Sequence, residues 1–520
     1  MQSSDEAAIS ITATNGTFCS QSQRRYVLIA AILASALGFI DGSILAIAMP
    51  AIRIDLGASL AEAQWISNGY ALTLSALILA GGAAGDRFGL RRAFVAGIML
   101  FVAASLACAL APNAVVLIAF RALQGIGAAI MVPGSLAIIA KAYPKKERGR
   151  AIGIWAAASA LTTALGPVLG GLVLSAFGGG IWRAIFAVNL PLGLISIYLL
   201  LFKVPADAPT EKRSLDLGGG ALATLAFGAL AYGLTSMSSS GEGHMAGPSI
   251  AAGAVLLVVF ILFEQRRREP MIDLSLFRIG AFAGANVATF FLYFALSANL
   301  FYLPMLLIAG WGLSTAEVGF IFLPLSASIA LLSGPVGQLS DRIGPRFPIS
   351  CGSLVVAFAF AGLALLSHAG IHHFWTGTFP LMALMGLGMA LVVSPLSTAI
   401  MTAVEDKDTG AASGINNAVS RIGGLIAVAA MGSLATWVYS RMLDASIRPG
   451  IPGFGEPVST GLPPELEATR LAASDMAFSA VSLTTAVLCL VAAIIAWITV
   501  PGQALPWRRR REIDSPLPDR

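Results

Sequence analysis

An all-α integral membrane protein of fourteen spans, ordered six, two and six, is the fold class this sequence predicts. Three observations lead there. Hydrophobic residues make up 57% of the 520 and charged residues 11%, against about 45–50% and about 25% in a soluble globular chain. The mean hydropathy is +0.82. Fourteen apolar runs approach the length of about 20 residues that a helix needs to cross a roughly 30 Å hydrocarbon core, and the basic residues collect on alternate connections.

The runs lie near 26–49, 64–84, 93–111, 114–138, 150–177, 182–202, 217–236 and 249–263, then near 281–309, 317–339, 347–367, 376–403, 411–438 and 476–500. The seventh and eighth are the weakest, because the eighth is short and a Gly/Ser-rich stretch, Ser236–Gly247, separates them. With the N-terminus inside, 25 of the 32 Lys and Arg fall on inner segments. Five fall on outer loops (Arg53, Arg183, Arg441, Arg448 and Arg470), and Arg121 and Arg421 sit within spans. This bias holds in register through all fourteen runs, so it supports both the count and the orientation. The net charge of +5 then reports basic inner loops and does not call for nucleic acid. The first run is too long for a signal-peptide core and contains Asp41. Four cysteines, none in an outer loop, give no disulfide framework. The Arg508–Arg511 run reads as an anchor after the last span.

These observations divide the chain into an inner tail (1–25), a six-helix half (26–203), two inserted helices with flanking loops (204–274), a second six-helix half (275–502) and an inner tail (503–520). A large outer loop, 441–475, precedes the last span.

One loop is duplicated. Gly82-x3-Asp86-Arg87-x-Gly89-x-Arg91 returns as Gly337-x3-Asp341-Arg342-x-Gly344-x-Arg346, 255 residues later throughout and each time after the second long span of its half. Glycines permit a tight turn there, while the Asp can brace a helix N-terminus and the Arg can anchor at the interface. The loop resembles the G-x-L-x-D-R-x-G-R-R signature of the major facilitator superfamily. Ala84 and Leu90 depart from it in the first copy and Pro345 in the second. Four further stretches are similar to the fourteen-span drug:proton antiporters of the EmrB/QacA-like group. These are Arg121-x-x-Gln124-Gly125-x-Gly127-Ala128-Ala129 and Gly166-Pro167-x-x-Gly170-Gly171, with Thr162 in place of a further Gly, then Asp41-Gly42-Ser43-Ile44 through Pro50, and Trp182-Arg183-x-x-Phe186-x-x-Asn189-x-Pro191-x-Gly193. Ala412 to Asn417 with Arg421-x-Gly423-Gly424 looks like that group's penultimate-span motif. The resemblance implies the major facilitator fold, pseudo-symmetric halves and a substrate site between them near midplane. It also implies export of small, mostly hydrophobic toxic compounds or antibiotics in exchange for protons, from the cell (inner) membrane with both termini cytoplasmic. Proton-coupled uptake of a small metabolite is the alternative within the same superfamily.

Ionisable residues inside spans are costly and read first as functional. Asp41 and Arg121 each lie nine residues from the outer end of their span, roughly 13 Å deep at 1.5 Å per residue, so they can pair. The resemblance links both to proton coupling; a static ion pair that fixes helix packing is the competing reading. Arg421 lies near midplane, where it either lines a cavity or packs. Further candidates for the cavity wall are Asn68, Tyr70, Gln124, Asn189, Asn286, Phe290, Phe291, Tyr293, Phe294, Asn299 and Asn417, a mainly apolar lining with a few polar points. The two repeated loops are expected to gate. In Gly166-Pro167-x-x-Gly170-Gly171 the proline removes a helix donor and the small residues admit a close neighbour; the resemblance makes this the antiporter motif.

No Gly-Lys dipeptide occurs, so a phosphate loop is excluded and no nucleotide is expected to drive the protein. The four histidines, His244, His368, His372 and His373, fall in outer loops, and His368-x3-His372-His373 has no cysteine or carboxylate near it in sequence, so neither a hydrolase nor a metal site is expected. The expectation is a transporter and not an enzyme, with the proton gradient in place of a cofactor. The lipid bilayer, protons and a small-molecule substrate are its partners, and a monomer is the transport unit; a periplasmic adaptor and outer-membrane channel are compatible with it.

The topology is testable. Single cysteines at Gly241, Gly370 and Gly455 in a Cys-free variant should react with an impermeant thiol reagent from outside, and one at Gly410 should not. Labelling of the Gly241 site only after permeabilisation would remove the inserted pair.

Overall fold

The computed structural model describes residues 18–207, 216–237, 243–267, 270–443, 451–456 and 462–502. Most of the first tail, the Arg508–Arg511 run, Arg448 and Gly241 lie outside them. Among the described residues fourteen helices are long and apolar enough to cross a membrane. Their main α-helical parts are α1 (Gln21–Leu56), α2 (Leu60–Phe88), α3 (Leu90–Ala109), α4 (Ala114–Ala142), α5 (Lys145–Phe177), α6 (Asn189–Lys203, the longer part of the span Gly179–Lys203), α7 (Leu217–Ser236) and α8 (Gly243–Arg266). Then come α9 (Gly280–Met305), α10 (Leu323–Ile343), α11 (Arg346–His368), α12 (Phe379–Thr402), α13 (Thr409–Met442) and α14 (Pro464–Thr499). Short helical pieces, Gly179–Trp182 with Arg183–Ala187 and Thr315–Gly319, lead into α6 and α10.

Helix starts follow local chemistry. Ser59 accepts from the Glu62 backbone N–H at 3.2 Å while Glu62 accepts from the Ser59 N–H at 2.8 Å, a reciprocal cap that opens α2. Ser314 and Glu317 repeat the arrangement ahead of α10. Two expectations are corrected. The last span begins at Pro464 and not near 476, because its first turns are polar and gave no hydropathy signal; much of the 441–475 loop is therefore helix. Arg53 is not in a loop but in the last turn of α1, 4% exposed.

The duplicated loop is a structural repeat. Gly89 and Gly344 end their helices at φ +91° and +84°, where a side chain would be strained. The register continues past the loop. Gly97 and Gly352, again 255 apart, each press on the backbone of the next helix. A Cβ on Gly97 would sit 3.1 Å from the Gly127 carbonyl oxygen, and one on Gly352 2.6 Å from that of Gly388. Small residues thus set the helix spacing in both halves. The repeated arginines act alike as well. Arg91 donates to the carbonyls of Leu200 and Leu201 at 2.7 Å, and Arg346 to that of Val500 at 2.7 Å. Each satisfies carbonyls left unpaired at the end of the last helix of its half.

The inserted pair packs on itself and then on the seam between the halves. Ala231 of α7 is buried with Leu72 of α2 and with Leu425 and Ala429 of α13, and Ser433 of α13 donates to the Leu234 carbonyl. The α2–α13 seam is in contact from Gln64 against Gly432 at one end to Leu79 against Gly414 at the other.

One partner of the first loop had no sequence signal. Asp207, after α6, accepts from the backbone N–H groups of Leu90 and Arg91 at 2.9 Å each and from the Lys141 ammonium at 2.8 Å. Burial alone would raise its pKa, but these donors outweigh it and hold the carboxyl below its usual 3.8. A depressed native pKa gives stability that is present above the unfolded value and lost as pH falls through the native one. Asp207→Asn should therefore lower thermal stability in detergent at pH 7 by about 1–2 kcal/mol, and the gap to the unaltered chain should close below about pH 4. A gap that is the same at both pH values would mean the charge plays no part. Gly127→Ala should also melt lower, since its Cβ would meet the Phe101 nitrogen at 2.6 Å, whereas Gly149→Ala, with nothing within 4 Å, should not.

Candidate functional site

Asp41 and Arg121 meet. The Arg121 guanidinium donates to the Asp41 carboxylate, and both side chains are sealed, at 0% and 1% exposure. Three more helices complete the node. Arg121 Nε donates to the Ile66 carbonyl of α2 at 3.0 Å. Gln124 gives one N–H to Asp41 at 3.0 Å and the other to Ser105 of α3 at 2.8 Å, while its carbonyl accepts from Arg121. Asn189 of α6 reaches Ser105 at 3.2 Å. The guanidinium also lies 4.5 Å from the centre of the Tyr70 ring and 5.7 Å from that of Phe186, so aromatic faces share its charge. The node uses α1, α2, α3, α4 and α6; the sequence predicted only the pair.

The second half has a neutral counterpart. Asn299 of α9 donates to Thr485 at 2.8 Å and accepts from Ser482 at 3.0 Å, both on α14. Ser482 also donates to the Phe360 carbonyl of α11 at 2.9 Å. Asn299 is thus a packing residue and not a wall of the cavity.

The other cavity candidates sort into two groups. Gln124 and Asn189 are fully buried in the node, Asn68 and Asn286 are 1% and 2% exposed, and Phe294 is 7% exposed; these five are sealed from the space between the halves, which corrects the expectation. Their apolar or polar type was readable, but not the direction each takes around its helix. Phe290, Phe291, Tyr293 and Arg421 are partly exposed, Asn417 is exposed, and Tyr70 stands at the margin, 9% exposed. Asn416 accepts from Thr289 at 2.9 Å, which ties α13 to α9.

The Gly166-Pro167-x-x-Gly170-Gly171 stretch works through closeness. A Cβ on Gly166 would lie 2.9 Å from Ser43 Oγ and one on Gly170 2.6 Å from Ile44, so α5 lies hard against α1. Gly171 accepts from Thr315 Oγ at 2.9 Å, and the Pro167 carbonyl oxygen lies 2.8 Å from where a Gly319 Cβ would be. The same stretch therefore joins the two halves at the end expected to face outward. Near that end Gln64 donates to the Tyr302 hydroxyl at 2.9 Å, which donates onward to the Val428 carbonyl. Arg53 reaches across to the Phe454 carbonyl at 3.0 Å, and Phe454 lies against Tyr302 and Tyr439. Neither Arg53 nor Phe454 stood out in the sequence.

Of the duplicated loops, Gly89 and Gly344 are buried at their turns, Gly82, Gly337, Asp86, Arg91 and Arg346 are half-buried, and Arg87, Asp341 and Arg342 are exposed. One histidine has a carboxylate after all: His372 Nε2 lies 2.7 Å from Asp475, which also accepts from Trp311 Nε1 at 2.8 Å. The acid comes from α14, far away in sequence. Among the described residues no group of three or more His, Cys, Asp or Glu could hold a metal.

A family model described as Major Facilitator Superfamily matches residues 31–428. The chain is 35% identical over 434 residues to the multidrug resistance protein Stp of Mycobacterium tuberculosis (strain CDC 1551 / Oshkosh), which covers 81% of this chain and 78% of that one. It is 33% identical to the tetracenomycin C resistance and export protein of Streptomyces glaucescens, covering 78% and 75%. To the methylenomycin A resistance protein of Bacillus subtilis (strain 168) it is also 33% identical, covering 79% and 89%. A bacterial homologue of the human lysosomal transporter Spinster shares the fold at a TM-score of 0.63 and 18% identity, over 94% of this chain and all of that one. A D-xylose–proton symporter shares it at a TM-score of 0.61 and 15% identity, over 92% of this chain and 98% of that one. The chain belongs to the major facilitator superfamily and is a multi-pass membrane transporter of small molecules, not an enzyme.

Proposed function

We propose that this transporter exports small, mostly hydrophobic toxic compounds or antibiotics from the cell in exchange for protons, with Asp41 as the proton carrier. The observation that carries the reading is the sealed Asp41–Arg121 pair at the centre of the node. An ion pair out of water is stable only while both charges are present; removing one leaves the other stranded at about 3–5 kcal/mol. A proton arriving at Asp41 cancels the carboxylate and strands the Arg121 guanidinium. The four other helices that bond to Arg121, Gln124 and Ser105 then have reason to rearrange. Losing the proton restores the pair. Protonation thus favours one arrangement of the first half and deprotonation the other, which is what alternating access requires of a coupling site.

Export is favoured over uptake by the names of the relatives, which are resistance and export proteins, and by the Gly-Pro-Gly-Gly stretch that closes α5 against α1 and the start of α10. With the outward end shut by the Gly171–Thr315, Gln64–Tyr302 and Arg53–Phe454 contacts, the partly exposed Phe290, Tyr293 and Arg421 and the exposed Asn417 suit loading from inside. The loops at Asp86 and Asp341 act as gates on that inner face, and both termini lie there. The proton gradient alone supplies the energy, and a monomer suffices for transport.

Asp41→Asn should abolish uphill export by proteoliposomes under an imposed proton gradient, and cells expressing it should lose resistance to a panel of aromatic antibiotics. Asp41→Glu should keep part of both. If Asp41→Asn vesicles still build a substrate gradient that collapses with a protonophore, another group couples and Asp41 only fixes packing.

A further inference from the structure

The charges held within the spans do not balance. Asp41 neutralises Arg121, but Arg421 makes no ion pair and no hydrogen bond with any described residue, and its Nε is buried without a partner. It stands twelve residues into α13, about 18 Å from the start of that helix at 1.5 Å per residue, well inside the apolar layer. The groups near enough to act on it electrostatically are two phenols, Tyr70 of α2 and Tyr293 of α9. Both are neutral hydroxyls at ordinary pH. A guanidinium carries five N–H donors in a planar fork, and a charge held there unpaired is expensive. Arg421 is thus a cation whose counter-charge is not supplied by the described protein.

The helix packed against α13 here, α9, carries a cluster of aromatic rings. The Phe290 ring lies 3.5 Å from where a Cβ on Gly423 would stand, two residues along α13 from Arg421. Phe290 meets Phe291 edge-on at 5.6 Å and Phe294 at 6.1 Å between ring centres. Tyr293 of the same helix is near enough to Arg421 to act on it electrostatically. Polar capacity nearby is modest: the Asn416 carbonyl is taken by Thr289, and the Asn417 amide donates to its own helix at 3.1 Å.

We propose that the partly exposed space beside Arg421 takes planar aromatic molecules bearing a carboxylate or an ionised phenol, with Arg421 as the anion contact and the Phe290–Tyr293 face as the stacking wall. The assignment rests on the transport reading above and narrows its substrate class. A guanidinium fork matches a carboxylate with two parallel hydrogen bonds, shorter and stronger than neutral ones, and the surrounding rings favour a flat body over a branched one. The same charge repels cationic aromatics, and no carboxylate among the described residues stands near Arg421 to attract them. Tyr70 is near both centres: Arg121 lies over its ring, and its hydroxyl is close enough to act electrostatically on Arg421. An anion at Arg421 is therefore one side chain away from the proton node.

The test uses the purified full chain in lipid nanodiscs and three probes on one ring system: anthracene carboxylate, anthracene methanol and anthracene methylamine. The carboxylate should bind the unaltered chain at least about tenfold more tightly than the alcohol, with the amine weakest, as expected for a charge-assisted contact. Arg421→Gln should erase that preference while leaving the alcohol's affinity nearly unchanged, and Arg421→Lys should restore part of it. Asp41→Asn should keep the preference, because this measurement needs no proton gradient; loss of coupling and loss of anion selectivity are thereby read separately. Equal binding of the carboxylate and the alcohol by the unaltered chain would overturn the proposal without any variant. So would a carboxylate preference that survives in Arg421→Gln, or chloride alone displacing the carboxylate and the alcohol equally.

Discussion

A single buried ion pair organises the first half of this molecule. Placing Asp41 and Arg121 out of water is tolerable only if each remaining donor and acceptor finds a partner, and the chain provides these from α2, α3, α4 and α6. Five of the six helices of that half are thereby fixed to one point. The exception is α5. It carries the Gly-Pro-Gly-Gly stretch and is held by close packing to α1 and, across the halves, to Thr315 and Gly319. The helix free of the node is thus a helix that bridges the halves. The second half solves the same packing problem with neutral groups, Asn299, Ser482 and Thr485. A neutral node can hold helices together but gives a proton nothing to neutralise, which is why the proposed proton-linked motion is assigned to the first half.

The duplication is visible in chemistry as well as in spacing. In each half a glycine at positive φ turns the chain, a second glycine presses on the next helix, and an arginine caps the carbonyls of the final helix. Asp207 breaks the symmetry by gripping the N-terminus of α3 together with Lys141. Backbone N–H groups at a helix start are unpaired and carry the positive end of the helix dipole, so a carboxylate there is well placed. The first copy of the loop is clasped from outside the repeat.

The layout of the helices was legible because hydropathy and loop charge are properties of sequence position alone. Fourteen spans and the repeated loop could be read directly, and equal depth was enough to suggest that Asp41 and Arg121 meet. What surrounds that pair was not legible. Ser105 and Asn189 look like many other small polar residues in spans, and only the packing angle of their helices turns them into the node. The same ignorance of direction placed Asn68, Gln124, Asn189, Asn286 and Phe294 on the cavity wall, where the fold seals them. The early start of α14 was missed because its first turns are amphipathic, and with it the acid that His372 meets. Asp207 follows a helix end in an ordinary Pro-Ala-Asp stretch, and nothing local marks it as a cap.

Charge accounting joins these observations. The spans hold very few ionisable groups, so each one is conspicuous in a medium of low dielectric constant. The pair in the first half is neutral as a unit, and its neutrality can be switched by one proton. Arg421 in the second half is not neutral, and no described side chain makes it so. A transporter that moved only neutral molecules would gain nothing from an unpaired guanidinium at that depth and would be more stable with an apolar residue there. The two centres lie on opposite halves with Tyr70 between them, so events at one alter the field at the other. On the reading proposed above, protonating Asp41 would leave a net positive charge in the first half, and an anion at Arg421 would cancel one in the second. Each change would then alter the cost of the other, and that mutual dependence would be a coupling free energy between two sites, reciprocal by necessity.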